Sequence, residues 1–260
     1  MRLLKYIIII ACFTLSSILS PISILAENIV VGHRGSTEKA LPNTRMSFLI
    51  AGTNVNDIDA LECDVFETHK DIIGCYDFVI YHDLDEFNKV YKHEGSIKDL
   101  TADELSKMGA CMLSDYLNIC KQCNKIPVIE LKSKNLRENK SDYIEAIVTK
   151  VFLFGLEDKV IWSSFGSGKG LDKINKTYKK YNASPPKTYL LAIGKKGIRK
   201  AKKSAEKYKL TGVGFNKKHL NYAKSKLSNS NLSTAVWGFS GLNDINKEKY
   251  KSIQLFITDC

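Results

Sequence analysis

Residues 159–193, KVIWSSFGSGKGLDKINKTYKKYNASPPKTYLLAI, decide the fold class because they hold the pattern of a strand, a helix and a second strand. The runs KVIWSSF and KTYLLAI are short and apolar, as buried strands are. The stretch GLDKINKTYKKY between them has the length of a helix that crosses from one strand to the next. Strands joined in this way lie parallel in one sheet. The segment therefore predicts a βαβ unit.

The same alternation continues along the chain. Nine runs have the pattern of strands: NIVVGH, ALECDVF, DFVIYHD, IPVIELK, KVIWSSF, KTYLLAI, TGVGFN, STAVWGF and LFITD. A closed parallel barrel needs eight. DFVIYHD follows ALECDVF after a connection too short for a helix, so we interpret it as a strand that turns and returns. We predict an α/β fold in which residues 27–260 form one (β/α)8 TIM barrel, with a small polar, aperiodic insertion (84–109) after the returning strand. An open doubly wound sheet is the alternative.

The first 26 residues have the layout of a secretory signal peptide. Arg2 and Lys5 give a positive start, a largely apolar run covers residues 7–19, and the small residue Ala26 ends the segment. The apolar run is short and interrupted for a membrane span, and an uncleaved anchor is the alternative. We expect cleavage near Ala26 and export of the protein, either to a periplasm or to the medium.

The chain is basic, with a formal net charge of +11. In segment 195–210, KKGIRKAKKSAEKYKL, the residues Ile198, Ala201, Ala205 and Tyr208 recur at helical spacing, so the lysines cover the solvated face of an amphipathic helix. No basic motif with interleaved aromatic residues occurs, and we expect no nucleic-acid partner. The lysine surplus suits peripheral contact with an anionic membrane.

Six cysteines follow the predicted signal peptide, an even number that makes disulfides plausible in an exported chain. Their pairing stays open. They are Cys63, Cys75, Cys111, Cys120, Cys123 and Cys260. The single C-x-x-C at Cys120 and Cys123 has no second pair at zinc-finger spacing, which argues against a structural zinc site.

Three carboxylates form a candidate metal site. Glu62 and Asp64 alternate along one predicted strand, so their side chains point to the same face and Cys63 points to the other. Two carboxylates on an inward face repel each other unless a cation lies between them. Glu130, on a nearby predicted strand, is the third candidate ligand. Oxygen ligands favour a hard ion, so we predict one divalent cation, Mg²⁺ or Ca²⁺.

Titratable and cationic side chains stand where the same predicted strands end. His33 and Arg34 follow NIVVG, His82 follows DFVIY, and Lys132 shares a face with Glu130. Imidazoles can donate and accept protons near neutral pH, and a guanidinium fork suits phosphate oxygens. Together with a divalent metal, these groups are suited to the cleavage of a phosphodiester.

The order of motifs resembles that of the glycerophosphodiester phosphodiesterase family. The segments GHRGSTEKALPNTRMSFLIAG, LECDVFETHKD, VIYHD, GSIKDLTADEL, VIELK, SSF, AVWGF and FITD carry the resemblance, which spans residues 30–259. It implies a (β/α)8 barrel that hydrolyses glycerophosphodiesters to glycerol 3-phosphate and an alcohol with a divalent metal. The residues it implies are His33, His82 and Arg34 in catalysis, Arg34, Lys132 and Trp237 in substrate binding, and Glu62, Asp64 and Glu130 as metal ligands.

The stretch between Thr68 and His82 is longer than is usual in the family, and two further departures lie beside predicted site residues. The family usually has Pro-Glu-Asn-Thr where this chain has Leu41-Pro42-Asn43-Thr44, so the glutamate beside the His33 loop is missing. After Trp237 the family often has Thr-Val-Asn, and here Gly238-Phe239-Ser240 follow. Two other functions stay open: a phospholipase D-like lyase of the sphingomyelinase D type acting on intact lipids, and a non-catalytic barrel that binds phosphorylated ligands or lipid.

Overall fold

The computed structural model describes residues 28–139, 142–248 and 250–260. The predicted signal peptide lies outside the described residues. Within the described ranges, none of the helices has the length and apolar character needed to cross a bilayer.

Eight parallel strands close into a barrel, which confirms the predicted fold class and excludes the open sheet. They are β1 (Ile29–His33), β2 (Ala60–Glu67), β4 (Ile126–Leu131), β5 (Ile161–Phe165), β6 (Lys187–Ala192), β7 (Gly212–Asn216), β8 (Ser233–Phe239) and β9 (Leu255–Thr258). The sheet closes because β1 pairs with both β2 and β9: Val31 lies opposite Ala60 on one side and Ile257 on the other.

A short antiparallel strand, β3 (Phe78–Ile80), is the predicted returning strand. It pairs with the upper part of β2, where Val65 lies opposite Ile80. Strand β1 ends at His33, opposite Glu62, and leaves the rest of β2 unpaired on that side. Strand β3 pairs with this remaining part of β2. The return therefore brings the chain after Ile80 back to the carboxyl rim of the barrel, next to the end of β1.

Nine α-helices lie in the described part of the chain. They are α1 (Arg45–Asn54), α2 (Leu84–Tyr91), α3 (Ala102–Lys107), α4 (Leu113–Gln122), α5 (Lys134–Glu138), α6 (Tyr143–Leu153), α7 (Lys169–Lys180), α8 (Gly194–Lys207) and α9 (Leu220–Leu227). Helix α8 is the predicted lysine-rich helix. Its buried residues are Ile198, Ala201 and Ala205, so its apolar stripe packs on the barrel as the spacing predicts.

The insertion after β3 is polar but not aperiodic, and the prediction is wrong in that respect. Helix α2 begins after Asp83, whose side chain accepts a hydrogen bond from the backbone N–H of Glu86. Phe87 is the one residue of this helix that is fully buried. A single buried side chain in eight residues is too little to give a visible helical period. Phe87 packs in a small separate core with Val79, Tyr81, Ile97, Leu105, Ala110 and Met112.

The barrel interior changes from apolar to polar along the strand direction. An apolar layer near the amino ends of the strands holds Val31, Ala60, Val128, Ile161, Tyr189, Ala235, Leu255 and Ile257. Because side chains alternate in a strand, the next inward positions are His33 after Val31, Glu62 and Asp64 after Ala60, and Glu130 after Val128. The outward positions, such as Cys63 and Ile129, pack in the main core beneath the helices. The candidate residues therefore meet at the carboxyl end of the barrel.

All six cysteines in the described ranges are free thiols, and Cys63, Cys111, Cys120 and Cys260 are buried. The disulfides that an exported chain makes plausible are therefore not formed among the described residues.

Candidate metal centre and active site

Glu62, Asp64 and Glu130 form one buried carboxylate cluster. Glu62 and Asp64 lie on β2, and Glu130 lies on β4 directly opposite Asp64 in the strand register. One carboxylate oxygen from each of the three residues lies within 4.8 Å of the other two. Their exposed fractions are 4%, 1% and 8%. The three residues that the sequence predicts as metal ligands thus face one point.

Two cations flank the cluster without balancing it. The Lys132 Nζ lies 3.1 Å from Glu130 Oε1 and 3.4 Å from Asp64 Oδ1. The Arg34 Nε lies 3.2 Å from Asp64 Oδ2, and the backbone N–H of Arg34 donates to Glu62 Oε2 at 3.1 Å. Three carboxylates against two cations leave a surplus negative charge in a buried place, which is costly without a further cation.

The pKa values of Glu62 and Glu130 reflect the same surplus of negative charge. Burial, and then repulsion by Asp64 and Glu130, raise the pKa of Glu62 well above its usual range. Burial and repulsion by Asp64 raise the pKa of Glu130 to about 7, although Lys132 lowers it. Oxygen-only ligands with a surplus negative charge fit a hard divalent ion such as Mg²⁺ or Ca²⁺. These three residues would hold it.

A sharp turn after β1 directs Arg34 toward the cluster. Arg34 has a φ of 59°, in the left-handed region, and Gly35 follows with a φ of 84°. A Cβ at Gly35 would lie 2.6 Å from the carbonyl carbon of Ser47, so a residue larger than glycine would collide with α1. A left-handed non-glycine residue costs about 1–2 kcal/mol. The strained residue is Arg34, whose backbone N–H and guanidinium both contact the carboxylate cluster.

Each of the two predicted catalytic histidines pairs with an aspartate. His33 Nδ1 lies 2.9 Å from Asp259 Oδ1, and His82 Nδ1 lies 2.6 Å from Asp83 Oδ2. A carboxylate that accepts from Nδ1–H orients the ring and leaves Nε2 for proton transfer. The hydrogen bond with His33 lowers the pKa of Asp259. The pKa of Asp83 is lowered first by the backbone N–H of Glu86 and then by His82.

Glu86 is the residue of the site that sequence reasoning missed. Its Oε1 accepts from Asn43 Nδ2 at 2.8 Å and from the backbone N–H of His82 at 2.7 Å. Its Oε2 accepts from Arg34 Nη1 at 3.0 Å. The same Asn43 amide donates to Asp64 Oδ2 at 2.9 Å. Glu86 therefore joins the loop after β1 to the segment that carries His82.

A sequence signal for Glu86 exists. Asp83 is the residue that caps α2, and Glu86 stands three positions later, the spacing of a capping box. In a capping box the later side chain accepts from the N–H of the capping residue; Glu86 reaches one residue further back and accepts from the N–H of His82. The spacing predicts that return but not the contacts with Arg34 and Asn43.

Trp237 lies on β8 with its ring on the inner side of the barrel wall. It faces Phe165 of β5 with a centroid distance of 5.8 Å and an interplanar angle of 76°. A Cβ at Gly214 of β7 would lie 3.4 Å from the Trp237 ring. Because β5 and β8 are not neighbours in the sheet, the two rings meet across the interior of the barrel. Substrate contact by Trp237 stays a prediction.

We expect the chelated protein to lose stability as the pH rises from 5 to 8. The folded cluster binds protons more tightly than the unfolded chain, because the pKa values of Glu62 and Glu130 are raised, so deprotonation through this window favours unfolding. Added Mg²⁺ or Ca²⁺ should therefore raise the melting temperature more at pH 8 than at pH 5. Melting curves of the native chain and of Glu130→Gln, with and without chelator, test this. An identical pH dependence in both chelated proteins would contradict it.

We expect Glu86→Ala to lower kcat for the expected phosphodiester hydrolysis roughly 10²-fold. A misplacement of about 1 Å in reacting groups produces an effect of this size. The change releases Arg34, Asn43 and the N–H of His82 at once. Glu86→Gln keeps an acceptor and should recover part of the loss. The neighbouring exposed residue gives the control Asp85→Asn, with wild-type kcat. Equal activity of Glu86→Ala and Asp85→Asn would show that the contacts do not position the site.

Solved structures of several phosphodiesterases are similar to this fold. A glycerophosphodiester phosphodiesterase from Parabacteroides distasonis has a TM-score of 0.64 and 21% identity, over 89% of this chain and 92% of that one. A phosphodiesterase from Oleispira antarctica, solved with the product sn-glycerol-3-phosphate, has a TM-score of 0.65 and 18% identity, over 89% and 92%. A Galdieria sulphuraria protein described as a glycerophosphodiester phosphodiesterase has a TM-score of 0.69 and 19% identity, over 91% of this chain and 95% of that one. No protein-family model and no curated protein matches the sequence. At these identities the likeness shows the fold.

Proposed function

We propose that the protein is a metal-dependent phosphodiesterase that hydrolyses glycerophosphodiesters to glycerol 3-phosphate and an alcohol. The observation that carries the proposal is the buried cluster of Glu62, Asp64 and Glu130 at the carboxyl rim, with His33 and His82 paired to aspartates beside it. The motif resemblance and the barrels of glycerophosphodiester phosphodiesterases with the same fold support it.

The side chains present can bind and protonate a phosphodiester. Glu62, Asp64 and Glu130 would hold a divalent cation, which would supply Lewis-acid stabilisation of charge on the phosphoryl oxygens. The Arg34 guanidinium has five N–H donors, and Asp64 and Glu86 hold it in orientation while it binds phosphate oxygens. Lys132 adds a second positive charge over the same cluster.

The two histidines divide the proton transfers. His33 Nε2 donates a proton to the alcohol oxygen as its bond to phosphorus breaks, and His82 Nε2 takes a proton from the attacking water. The products are a phosphomonoester and an alcohol, and the two rings exchange protons with solvent afterwards. Asp259 and Asp83 contact the Nδ1 atoms of His33 and His82 and hold the two rings in orientation.

The proposal includes export, which rests on residues 1–26 of the sequence. Mass determination of the amino terminus of the protein from the culture medium or periplasm tests it. A start near residue 27 would support cleavage, and an intact amino terminus would contradict it.

We expect deacylated diesters such as glycerophosphocholine to be hydrolysed faster than diacyl lipids at equal concentration. The predicted phosphate site is compact and highly charged, which suits a small hydrated diester. The acyl chains of an intact lipid would need an apolar pocket directly beside this cluster. In the insertion Phe87 is buried in its own core, and Leu84 is the one large apolar side chain that is exposed. Competition with both substrates present, at low and high salt, tests the order. Faster headgroup release from the diacyl lipid would favour the phospholipase D-like function instead.

A further inference from the structure

The exposed apolar side chains are concentrated at one end of the barrel. Among the described residues, the large hydrophobic side chains that are exposed are Leu41, Met46, Leu49, Ile72, Ile73, Leu84, Leu153 and Ile193. Apart from Leu153, they lie in or just after the connections that follow β1, β2, β3 and β6, at the carboxyl end of the strands. Leu153 ends α6, which runs to the opposite end of the barrel.

Ile72 and Ile73 form the most exposed apolar pair, with exposed fractions of 104% and 79%. They lie in the turn between β2 and β3. Asp71 closes this turn: its Oδ1 accepts from the backbone N–H groups of Ile73 at 3.0 Å and Cys75 at 2.8 Å, and its own N–H donates to the Cys75 carbonyl at 2.8 Å. The closed turn directs both isoleucine side chains into solvent, beyond the end of β2.

Ile193 is the second apolar point, on a different side of the barrel mouth. It follows β6 directly and has an exposed fraction of 79%. Lys195 and Lys196, in the first turn of α8, are exposed beside it. The next connection, after β7, adds the exposed Lys218. No acidic residue occurs in the first turn of α8, so the charged residues that follow Ile193 in that turn are positive.

We propose that the carboxyl face of the barrel docks on an anionic phospholipid bilayer, with Ile72, Ile73 and Ile193 entering the headgroup region. Exposed apolar side chains with lysines near them, as at Ile193, match such a surface, because the apolar side chains enter the interface while the lysines contact acidic headgroups. A second copy of the chain fits less well, since the lysines around Ile193 would face identical lysines in a two-fold interface. The docking goes beyond the proposed function, because bilayer binding does not require hydrolysis.

The test is sedimentation of residues 27–260, which contain the whole closed barrel, with vesicles of phosphatidylcholine containing phosphatidylglycerol. The native sequence should bind these vesicles and release them at high salt, and should bind pure phosphatidylcholine vesicles weakly. Ile72→Ser with Ile73→Ser, and separately Ile193→Ser, should each weaken binding roughly tenfold or more, from the apolar area no longer buried. The matched control is Leu153→Ser, an 80% exposed leucine at the other end, which should bind like the native sequence.

Two readouts separate this proposal from the proposed function. Turnover of soluble glycerophosphocholine should be unchanged in all these variants, because the substituted residues lie outside the carboxylate and histidine cluster. Native binding in both isoleucine variants would overturn the docking surface, whatever the enzyme hydrolyses. A change in oligomeric state on size-exclusion chromatography, without a change in vesicle binding, would overturn it in favour of contact between two copies.

Discussion

Replacing His33 or His82 by alanine lowers turnover of a glycerophosphodiester by roughly 10²–10⁴-fold, the contribution of a positioned acid or base. The side chains are 34% and 31% exposed at the rim, and neither belongs to the apolar core, so both variants should keep the native melting temperature. Steady-state kinetics with thermal unfolding measures both effects.

His69→Ala is the matched control for the histidine variants. His69 is exposed and lies at the same end of the barrel, just after β2, but is not a predicted site residue. We expect its kcat to equal that of the native protein. If His33→Ala or His82→Ala also retained native turnover, that residue would have no part in the reaction.

Glu62→Gln should abolish metal-dependent activity while keeping the fold. The substitution preserves the shape of the side chain but removes one of the three charges that would hold the cation. Removing a residue that only hydrogen-bonds to a metal ligand lowers metal affinity by about 10–100-fold. Removing the charge of a direct ligand should therefore lower the affinity more than 10²-fold. Calorimetric titration with Mg²⁺ and Ca²⁺ measures it.

Glu67→Gln is the control on the same strand. The Oε1 of Glu67 accepts from Asn135 Nδ2 at 2.8 Å, away from the cluster, so metal affinity should be native. The chelated Glu62→Gln protein should be at least as stable as the chelated native protein, because a buried carboxylate with a raised pKa has been removed. Native affinity in Glu62→Gln would show that the cation binds elsewhere.

The sequence predicts the barrel and the carboxylate cluster because both follow from local pattern. Alternating apolar runs and helices specify parallel strands, and the two-residue period of β2 places Glu62 and Asp64 on one face. The strand ends then bring His33 and Arg34 to the same rim.

The pairings of the site could not be predicted because they depend on closure of the barrel. His33 and Asp259 are 226 residues apart and meet only because β1 pairs with β9. Glu86 reaches Arg34 and Asn43 only because β3 returns along β2, beyond the end of β1, and α2 starts soon after it. Neither relation leaves a period or a motif in the sequence.

Release of glycerol 3-phosphate from glycerophosphocholine, followed by phosphorus NMR before and after removal of metal, tests whether the carboxylate cluster is a catalytic metal site. We expect no product from the chelated protein, product after addition of Mg²⁺ or Ca²⁺, and none from Glu62→Gln under either condition. Full product formation by protein with no measurable metal would contradict this expectation. So would a failure to form product with any added divalent cation.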